Sequence, residues 1–233
     1  MRPEKRRLLQ LDNEVETMYD DRPALDPYPL SDYVAWAGRR NRDPILEIFK
    51  QSFPTGAANV LEYASGSGMH INYFAPHFPQ MWFQPSDMNE DVFGTIKTLK
   101  AERGNANVAD PIRLDLTQSE TWPAPEDRRY DVIFCINIFQ VAPVSIADGM
   151  MQCAATILKD TGFLSIYGPF KVEGHYTTDS NASFDKEVRS AGVPEWGLKD
   201  VSDLRAAAEK HGLRLQRQVD MPANNFILMF GRA

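Results

Sequence analysis

Glu62-Tyr-Ala-Ser-Gly-Ser-Gly68 is the stretch that decides the fold, because it separates a short apolar segment from a helical one. Residues 59–64 predict a buried strand, and residues 70–78 predict a helix. A glycine turn between a strand and a helix lies at the carboxyl edge of a parallel sheet, where glycines let a ligand approach the backbone. The same stretch also fits a tight turn that binds nothing, and this alternative stays open.

Outward from this turn, predicted strands alternate with predicted helices. This order is typical of an α/β protein with helices on both faces of a parallel sheet. Further strands are predicted at 82–87, 112–116, 130–136, 162–167, 213–219 and 225–230, and helices at 89–103, 145–159 and 200–211. Another helix is predicted to begin at Asp43 and Pro44, since proline suits the first turn. Only a few residues join the last two strands, so these strands must be antiparallel.

Composition and charge exclude several classes of protein. The 233 residues carry a net charge of −7, unlike the basic surface of a general nucleic-acid binder. Cys135 and Cys153 are the only cysteines, which argues against a disulfide scaffold or a structural zinc site. The longest apolar run, residues 132–136, is far too short for a membrane span. No apolar segment follows the basic residues 1–10, so we expect no secretory signal and a cytoplasmic location.

Carboxylates follow three successive predicted strands, at Glu62, Asp87 and Asp115. Glu62 would repel a pyrophosphate but suits a ligand that carries positive charge. Asp87 can accept hydrogen bonds from both hydroxyls of a ribose, as acids do at this position in dinucleotide folds. Asp115 can accept a hydrogen bond from an adenine amino group. Each acid alone also has a structural interpretation, such as a helix N-cap for Asp87, but the fold does not require all three.

The most apolar predicted strand, residues 130–136, belongs in the middle of the sheet, with its carboxyl end at the ligand crevice. Asn137 follows it and can hold the polar end of a ligand, with Phe139 and Gln140 beside it. Asn137 also fits a simple turn at the end of a strand. His70 lies one turn into the helix after the glycine turn, where it either faces the ligand or only lies on the helix surface.

Residues 1–40 differ in kind from the rest of the chain. They combine a basic segment, an acidic proline-containing segment and four aromatic residues, Tyr19, Tyr28, Tyr33 and Trp36. We predict an N-terminal arm that packs over the ligand site as a lid, although a dimer contact or simple core packing explains the aromatics equally well. Residues 41–233 then form the ligand-binding domain. Within it, residues 168–199 lack periodicity and predict a cap-like insertion on the opposite side.

Several stretches share the pattern of one known family: Leu61-Glu-Tyr-Ala-Ser-Gly-Ser-Gly-Met-His70, Gln84-Pro-Ser-Asp87, Cys135-Ile-Asn137, Tyr167-Gly-Pro169, Pro194-Glu-Trp-Gly197 and Asp220-Met-Pro-Ala-Asn-Asn225. With Arg40-Asn-Arg-Asp-Pro-Ile-Leu46, they resemble the uncharacterised methyltransferase-like family exemplified by methyltransferase-like protein twenty-six. The resemblance covers about residues 39–232. It implies a class I S-adenosylmethionine fold, which is a Rossmann-like doubly wound sheet of seven strands with the last strand antiparallel. This chain departs from the family at Gln140, where members usually carry histidine.

The residues and the resemblance together predict an S-adenosylmethionine-dependent methyltransferase that acts on an unidentified small-molecule acceptor. We predict no metal and no nucleic-acid or membrane partner, and we leave a homodimer open. The predicted cofactor-binding residues are Glu62, Ser65, Gly66, Gly68, His70, Asp87, Met88, Asp115, Leu116 and Asn137. Candidates for catalysis are His70, Gln140 and Tyr167, and candidates for substrate binding are Tyr167, Trp196, Asn224 and Asn225.

Two other functions compete with this prediction. The first is a binding or interaction protein that keeps the nucleoside pocket but is catalytically silent, and the Gln140 departure keeps it open. The second is an NAD-dependent oxidoreductase. It is disfavoured because Ile71 replaces the third glycine of the dinucleotide fingerprint and because Glu62 would repel a pyrophosphate.

Overall fold

A seven-stranded sheet forms the centre of the molecule in the computed structural model, which describes residues 21–124 and 130–233. The strand order is β3-β2-β1-β4-β5-β7-β6. Strand β7 runs antiparallel to both of its neighbours, whereas β1 to β5 pair in parallel. The predicted doubly wound α/β fold with an antiparallel last strand is therefore confirmed. The strands are β1 (Asn59–Tyr63), β2 (Trp82–Asp87), β3 (Ile112–Arg113), β4 (Tyr130–Ile136), β5 (Leu158–Gly168), β6 (Leu213–Met221) and β7 (Asn225–Arg232).

Helices cover both faces of the sheet, because alternate strand residues enter two separate hydrophobic clusters. On β4, Ile133 and Cys135 join the cluster that contains α4 and α6, while Val132 and Phe134 join the one that contains α1 and α2. None of the described helices is long and apolar enough to cross a membrane. The helices are α1 (Asp32–Ser52), α2 (Met69–Phe74), α3 (Phe93–Arg103), α4 (Ile146–Ile157), α5 (Asp179–Arg189) and α6 (Val201–Lys210).

Helix α1 begins earlier than the sequence predicts, so the predicted start at Asp43 and Pro44 is wrong. The side chain of Ser31 accepts a hydrogen bond from the Val34 N–H and caps the helix, and Pro44 lies inside it. Proline in a helix interior removes one backbone hydrogen bond. The buried face that includes Ile45 and Phe49 stabilises the helix despite this loss. The helix therefore continues through residue 40, where the arm was predicted to end.

Strand β5 also differs from the prediction. Helix α4 was expected to reach Lys159, but it ends at Ile157, and the strand begins at once with Leu158. Leu158 pairs with Tyr130, and a register irregularity between Tyr130 and Val132 follows on β4. The pairing with β4 therefore extends the strand towards its amino end.

The order of strands along the sheet reverses between β1 and β4. In doubly wound sheets, ligands bind outside the carboxyl ends of the strands at this point. Glu62 lies near the end of β1 and Asn137 follows β4, and the predicted position of β4 in the middle of the sheet is confirmed. A ligand crevice at its carboxyl end stays a prediction. Tyr19, one of the predicted lid residues, lies outside the described part of the chain.

Candidate functional site

The turn after β1 is held in left-handed backbone conformations. Ala64, Gly66 and Gly68 have φ angles of 51°, 53° and 75°. Glycine adopts this conformation freely, whereas an L-residue such as Ala64 does so at a cost of about 1–2 kcal/mol. Hydrogen bonds secure the turn to β2, because the N–H of Ser65 donates to the Ser86 carbonyl at 2.8 Å and the Ser65 hydroxyl accepts from the Ser86 N–H at 3.1 Å.

Glycine at position 68 is required by a close neighbour as well as by its backbone angle, whereas Gly66 is required by its backbone angle alone. A Cβ atom on Gly68 would lie 2.9 Å from the Cγ1 of Ile96 on α3, which is closer than real side chains approach. A Cβ atom on Gly66 would lie 3.4 Å from the Cβ of Pro29, a residue of the arm. The arm therefore lies directly against the glycine turn.

Asp87 connects the end of β2 to the glycine turn. Its Oδ2 accepts a hydrogen bond from the Gly66 N–H at 2.9 Å, and its Oδ1 accepts one from the Asn89 N–H at 2.9 Å. The alternative that Asp87 is a helix N-cap is wrong, because Asn89 caps the short helix that follows. Met88 is 61% exposed, so its side chain offers an apolar surface next to this carboxylate.

Asp115 is buried two residues beyond β3. Its Oδ1 accepts hydrogen bonds from both the N–H and the hydroxyl of Thr117, at 2.8 and 2.7 Å. Its backbone is fixed as well, since its carbonyl accepts from the Trp122 indole N–H and its N–H donates to Thr121 Oγ1. Asp115, which is predicted to contact an adenine, therefore lies in a turn that hydrogen bonds hold in place. The neighbouring Leu116 is buried beside it.

Glu62 is buried at the end of β1 with only 2% of its surface exposed. Its Oε2 atom has no hydrogen-bond partner. Burial raises the pKa of Glu62 to about 8, a hydrogen bond with Ser65 partly offsets this, and the charge of Asp87 adds to it. A buried carboxylate without a partner is costly and calls for a cation. The ammonium end of an amino-acid ligand would supply one.

The segment after β4 is tied to two other elements. Asn137 adopts a left-handed conformation with φ 58°, and its N–H donates to the Tyr167 carbonyl at 2.9 Å. The side-chain amide of Gln140 donates to the Asn137 carbonyl at 2.9 Å, and the Gln140 carbonyl accepts from the Gly197 N–H at 2.9 Å. Gln140 therefore holds the shape of this loop, and its amide cannot accept a proton.

His70 packs against the helix that emerges from the arm. Its Nε2 lies 2.7 Å from the Oδ1 of Asn41, which is buried on α1. Burial and the charge of Arg42 lower the pKa of His70 to about 4, so the imidazole is neutral near pH 7. Gly38 leaves room for this contact, since a Cβ there would lie 3.4 Å from the His70 ring and closer still to Met69.

Neither Asn41 nor Gly38 was predicted as part of the site. The sequence signal for them is the apolar face of α1, on which Gly38 and Asn41 are buried together with Ile45 and Phe49. A glycine and an asparagine on a buried helix face indicate a close approach by another element. The sequence alone does not reveal that this element is α2.

The arm and residues 168–199 contact each other through an ion pair. The guanidinium of Arg22 lies 2.8 Å from the Glu187 carboxylate on α5, and it also lies over the ring of Tyr33. The guanidinium of Arg40 lies over the ring of Trp36, 4.5 Å from its centroid. Tyr33 and Trp36 of the arm therefore each pack against an arginine. Tyr28, by contrast, is 50% exposed.

Residues 168–199 are organised around one buried acid. Asp185 on α5 accepts hydrogen bonds from the Tyr176 hydroxyl, the Arg189 guanidinium and the Leu198 N–H, at 2.7, 2.7 and 2.5 Å. Arg189, Tyr176 and the Leu198 N–H lower the pKa of Asp185 despite its burial. Asn181, also on α5, donates to the Asn224 carbonyl at 3.1 Å, so α5 is joined to the β6–β7 turn.

The predicted substrate residues lie in different surroundings. Tyr167 is buried at the carboxyl end of β5, burial raises the pKa of its phenol, and the charge of Arg40 acts against this rise. Trp196 is half-buried in the loop whose Gly197 binds Gln140. The side chain of Asn225 donates to two carbonyls of its own turn.

The described part of the chain contains no group of three His, Cys, Asp or Glu residues that could hold a metal ion.

This topology, a seven-stranded doubly wound sheet with its last strand antiparallel, is the Rossmann-like fold of methyltransferases. The chain belongs to the DUF938 family, which is described as a protein of unknown function and whose model matches residues 32–232.

Solved methyltransferases share this fold at low sequence identity. CalO1, a methyltransferase in calicheamicin biosynthesis solved in an SAH-bound form, is 15% identical over 97% of this chain and 60% of its own, with a TM-score of 0.71. The mitomycin 7-O-methyltransferase MmcR is 17% identical over 97% of this chain and 67% of its own, with a TM-score of 0.69. An O-methyltransferase family 2 protein from Planctomyces limnophilus in complex with apigenin is 14% identical over 88% of this chain and 62% of its own, with a TM-score of 0.69. The chain spans about three fifths of the length of CalO1.

Proposed function

We propose that this protein is an S-adenosylmethionine-dependent methyltransferase that acts on a small-molecule acceptor. The observation that carries the proposal is the row of three buried acids, Glu62, Asp87 and Asp115, at the carboxyl ends of β1, β2 and β3. A sheet of this fold does not need carboxylates there, and burying them is costly. An amino-acid nucleoside with a positive charge gives each of them a partner.

The residues present fit this cofactor. In the proposal, Glu62 and the backbone at Gly66 and Gly68 hold its methionine part, because the turn brings N–H groups and one unpartnered carboxylate together. Ser65 keeps the turn in place through its bonds to Ser86. Asn137 borders the same end of the crevice.

The other half of the crevice suits the nucleoside. Asp87 would accept hydrogen bonds from the ribose hydroxyls with the lone pairs that its two backbone partners leave free. Met88 would cover one face of the adenine, Leu116 would bound the other side, and Asp115 would accept from the amino group. The rigid hydrogen bonds of Asp115 to Thr117 support this role, since they fix the carboxylate before the ligand arrives.

S-adenosylmethionine supplies a methyl group that is already electrophilic, so the protein's main task is to align an acceptor and exclude water. Two contacts support a role for the arm and for residues 168–199, here called the α5 segment, in aligning the acceptor and excluding water. Pro29 lies on the glycine turn, and Arg22 binds Glu187 on α5. We infer that they form the lid and cap of the site. Tyr167, Trp196 and Asn224 would then border the acceptor, with Asn225 shaping the β6–β7 turn beside it.

Of the three candidates for catalysis, only His70 carries a basic ring nitrogen, and its pKa of about 4 makes it a weak base near pH 7. Gln140 has no such group, and Tyr167 stays a protonated phenol. A base is needed only where the acceptor must lose a proton before attack. Because solved O-methyltransferases have the same fold, we propose a hydroxyl group as the acceptor for this protein.

The test is transfer of labelled methyl from S-adenosylmethionine by the full chain to a panel of small hydroxyl compounds and then to a metabolite extract. Mass spectrometry of the protein as purified would first reveal a bound nucleoside. We expect labelled product with at least one class of acceptor, and less product from Asp87→Ala. Binding of the nucleoside without transfer to any acceptor would favour the catalytically silent alternative, which the loop-holding role of Gln140 keeps open.

A further inference from the structure

The ionisable groups that face the Glu62 carboxyl are acids. Asp87 acts on it from β2, and on β4 burial and then the charge of Glu62 raise the thiol pKa of Cys135, which pairs with the neighbouring Tyr63. Ser65 in the glycine turn contributes a neutral hydroxyl. On α2, His70 is neutral and bound to Asn41 on α1. Among the described residues, the groups that shift the pKa of Glu62 thus include no cation.

A carboxyl group in this position takes the neutral form. Glu62 is 2% exposed, and its Oε2 has no hydrogen-bond partner. An ionised oxygen left bare in a buried site would cost several kcal/mol, and protonation removes that cost. The pKa of about 8 agrees with this geometry and means that most molecules hold the proton at pH 7.

We propose that Glu62 releases its proton when the ammonium group of a ligand binds beside it, so that the site selects ligands by that group. This inference rests on the proposed function and adds a selection rule to it. The Glu62 carboxylic acid and the ligand ammonium become a carboxylate–ammonium pair, and the proton goes to solvent. No other bond changes.

Two consequences distinguish this exchange from ordinary hydrogen bonding. Below the pKa of free Glu62, affinity for an ammonium-bearing ligand rises about tenfold per pH unit, because one proton leaves for each ligand bound. A nucleoside without the ammonium group makes no such exchange. Its affinity is therefore independent of pH over the same range.

The experiment is calorimetric titration of the full chain with S-adenosylhomocysteine at pH 6 and pH 7, in buffers of different ionisation enthalpy. The ligand's α-amino group is largely protonated at both values. We expect release of about one proton and about tenfold tighter binding at pH 7. 5′-Methylthioadenosine, which lacks the amino-acid part, should bind with no proton release and equal affinity at the two pH values.

Glu62→Gln provides the matched variant, since it keeps the size of the side chain and removes its proton equilibrium. It should bind S-adenosylhomocysteine at least tenfold more weakly at pH 7, without proton release, and bind 5′-methylthioadenosine like the parent. Binding of S-adenosylhomocysteine by the parent with no proton release and equal affinity at pH 6 and 7 would overturn the inference and leave the cofactor assignment intact. Absence of binding by either nucleoside would overturn the proposed function together with the inference.

Discussion

Glu62, Ala64 and His70 each occupy a state that the same residue would avoid in a free peptide. Glu62 is a buried acid with one oxygen, Oε2, that has no hydrogen-bond partner, Ala64 is left-handed, and His70 is a neutral imidazole with its pKa lowered to about 4. All three lie within nine residues of sequence, from the end of β1 to the first turn of α2. Local rules of this kind are broken mainly at functional sites. The concentration here supports the glycine turn as the centre of the ligand site.

Glu62→Gln should stabilise the protein, and more so at pH 8 than at pH 5. The pKa of Glu62 is about 8 in the folded state, against an ordinary value of 4.5 for a solvated glutamate. Because the unfolded chain ionises first, folding loses up to about 5 kcal/mol as pH rises from 4.5 to 8. Glutamine has no such penalty. Urea denaturation of both proteins at the two pH values measures the difference, and an equal gain at pH 5 and pH 8 would contradict the buried-acid interpretation.

Asp87→Ala should weaken binding of S-adenosylhomocysteine by roughly 1.5–3 kcal/mol, the range for hydrogen bonds to a charged group. Asp115→Ala should cost less, because a backbone contact to the adenine would remain. Asp87 also holds the N–H groups of Gly66 and Asn89, so thermal melting must accompany the titration. Asp91→Ala is the matched control, since this exposed acid lies four residues away. Unchanged affinity in a folded Asp87→Ala protein would refute the ribose role.

Among the elements, strands were easier to predict than helix ends. The apolar runs of β1 and β4 and the short β6–β7 connection are local signals, and they were sufficient for the sheet. The start of α1 was missed because Pro44 is a strong local signal for a first turn, while the Ser31 cap depends on a helix that packs along its whole length. The contact between Asn41 and His70 was beyond prediction, because it depends on where α1 crosses α2.

The packing of α4 against the loop after β3 provides a test at this scale. A Cβ atom on Gly149 of α4 would collide with the carbonyl oxygen of Leu116. Gly149→Ala should therefore destabilise the protein by about 1–3 kcal/mol through overpacking. It should also weaken nucleoside binding, because it displaces the predicted adenine contact.

Gly94→Ala is the matched control for this change. A Cβ atom at Gly94 on α3 has nothing within 4 Å, so alanine there should be neutral or stabilise by up to about 1 kcal/mol. Denaturation midpoints and titrations of both variants with S-adenosylhomocysteine provide the comparison. Equal stability and equal affinity in the two variants would show that α4 does not support the loop at Asp115 and Leu116, where the adenine contact is predicted.

In the whole molecule, the arm contacts the glycine turn, the start of α2 and helix α5. Pro29 lies on the glycine turn, Gly38 lies on Met69 and His70, and Arg22 reaches Glu187. All three contacts are made by residues of the arm, at positions 22, 29 and 38. They favour the predicted lid over a free tail.

Reversing one charge of the Arg22–Glu187 pair should speed dissociation of S-adenosylhomocysteine a few-fold. The effect is modest because both side chains are about one-third exposed, and such pairs contribute about 0–1 kcal/mol. Arg22→Glu and Glu187→Arg should each show it, and the double variant should restore the parent rate. Stopped-flow measurement at low salt tests this. Equal rates in all four proteins would contradict closure by the arm.

The central claim is that the crevice between β1 and β4 binds S-adenosylmethionine. Calorimetric titration of the full chain with S-adenosylmethionine, S-adenosylhomocysteine and NADH tests it most directly. We predict micromolar-range binding of the first two and no heat with NADH, because the buried Glu62 carboxyl offers a pyrophosphate no positive charge and the third glycine of the dinucleotide fingerprint is Ile71. Binding of NADH, with neither heat nor a thermal shift from the two methionine-derived ligands, would contradict the account.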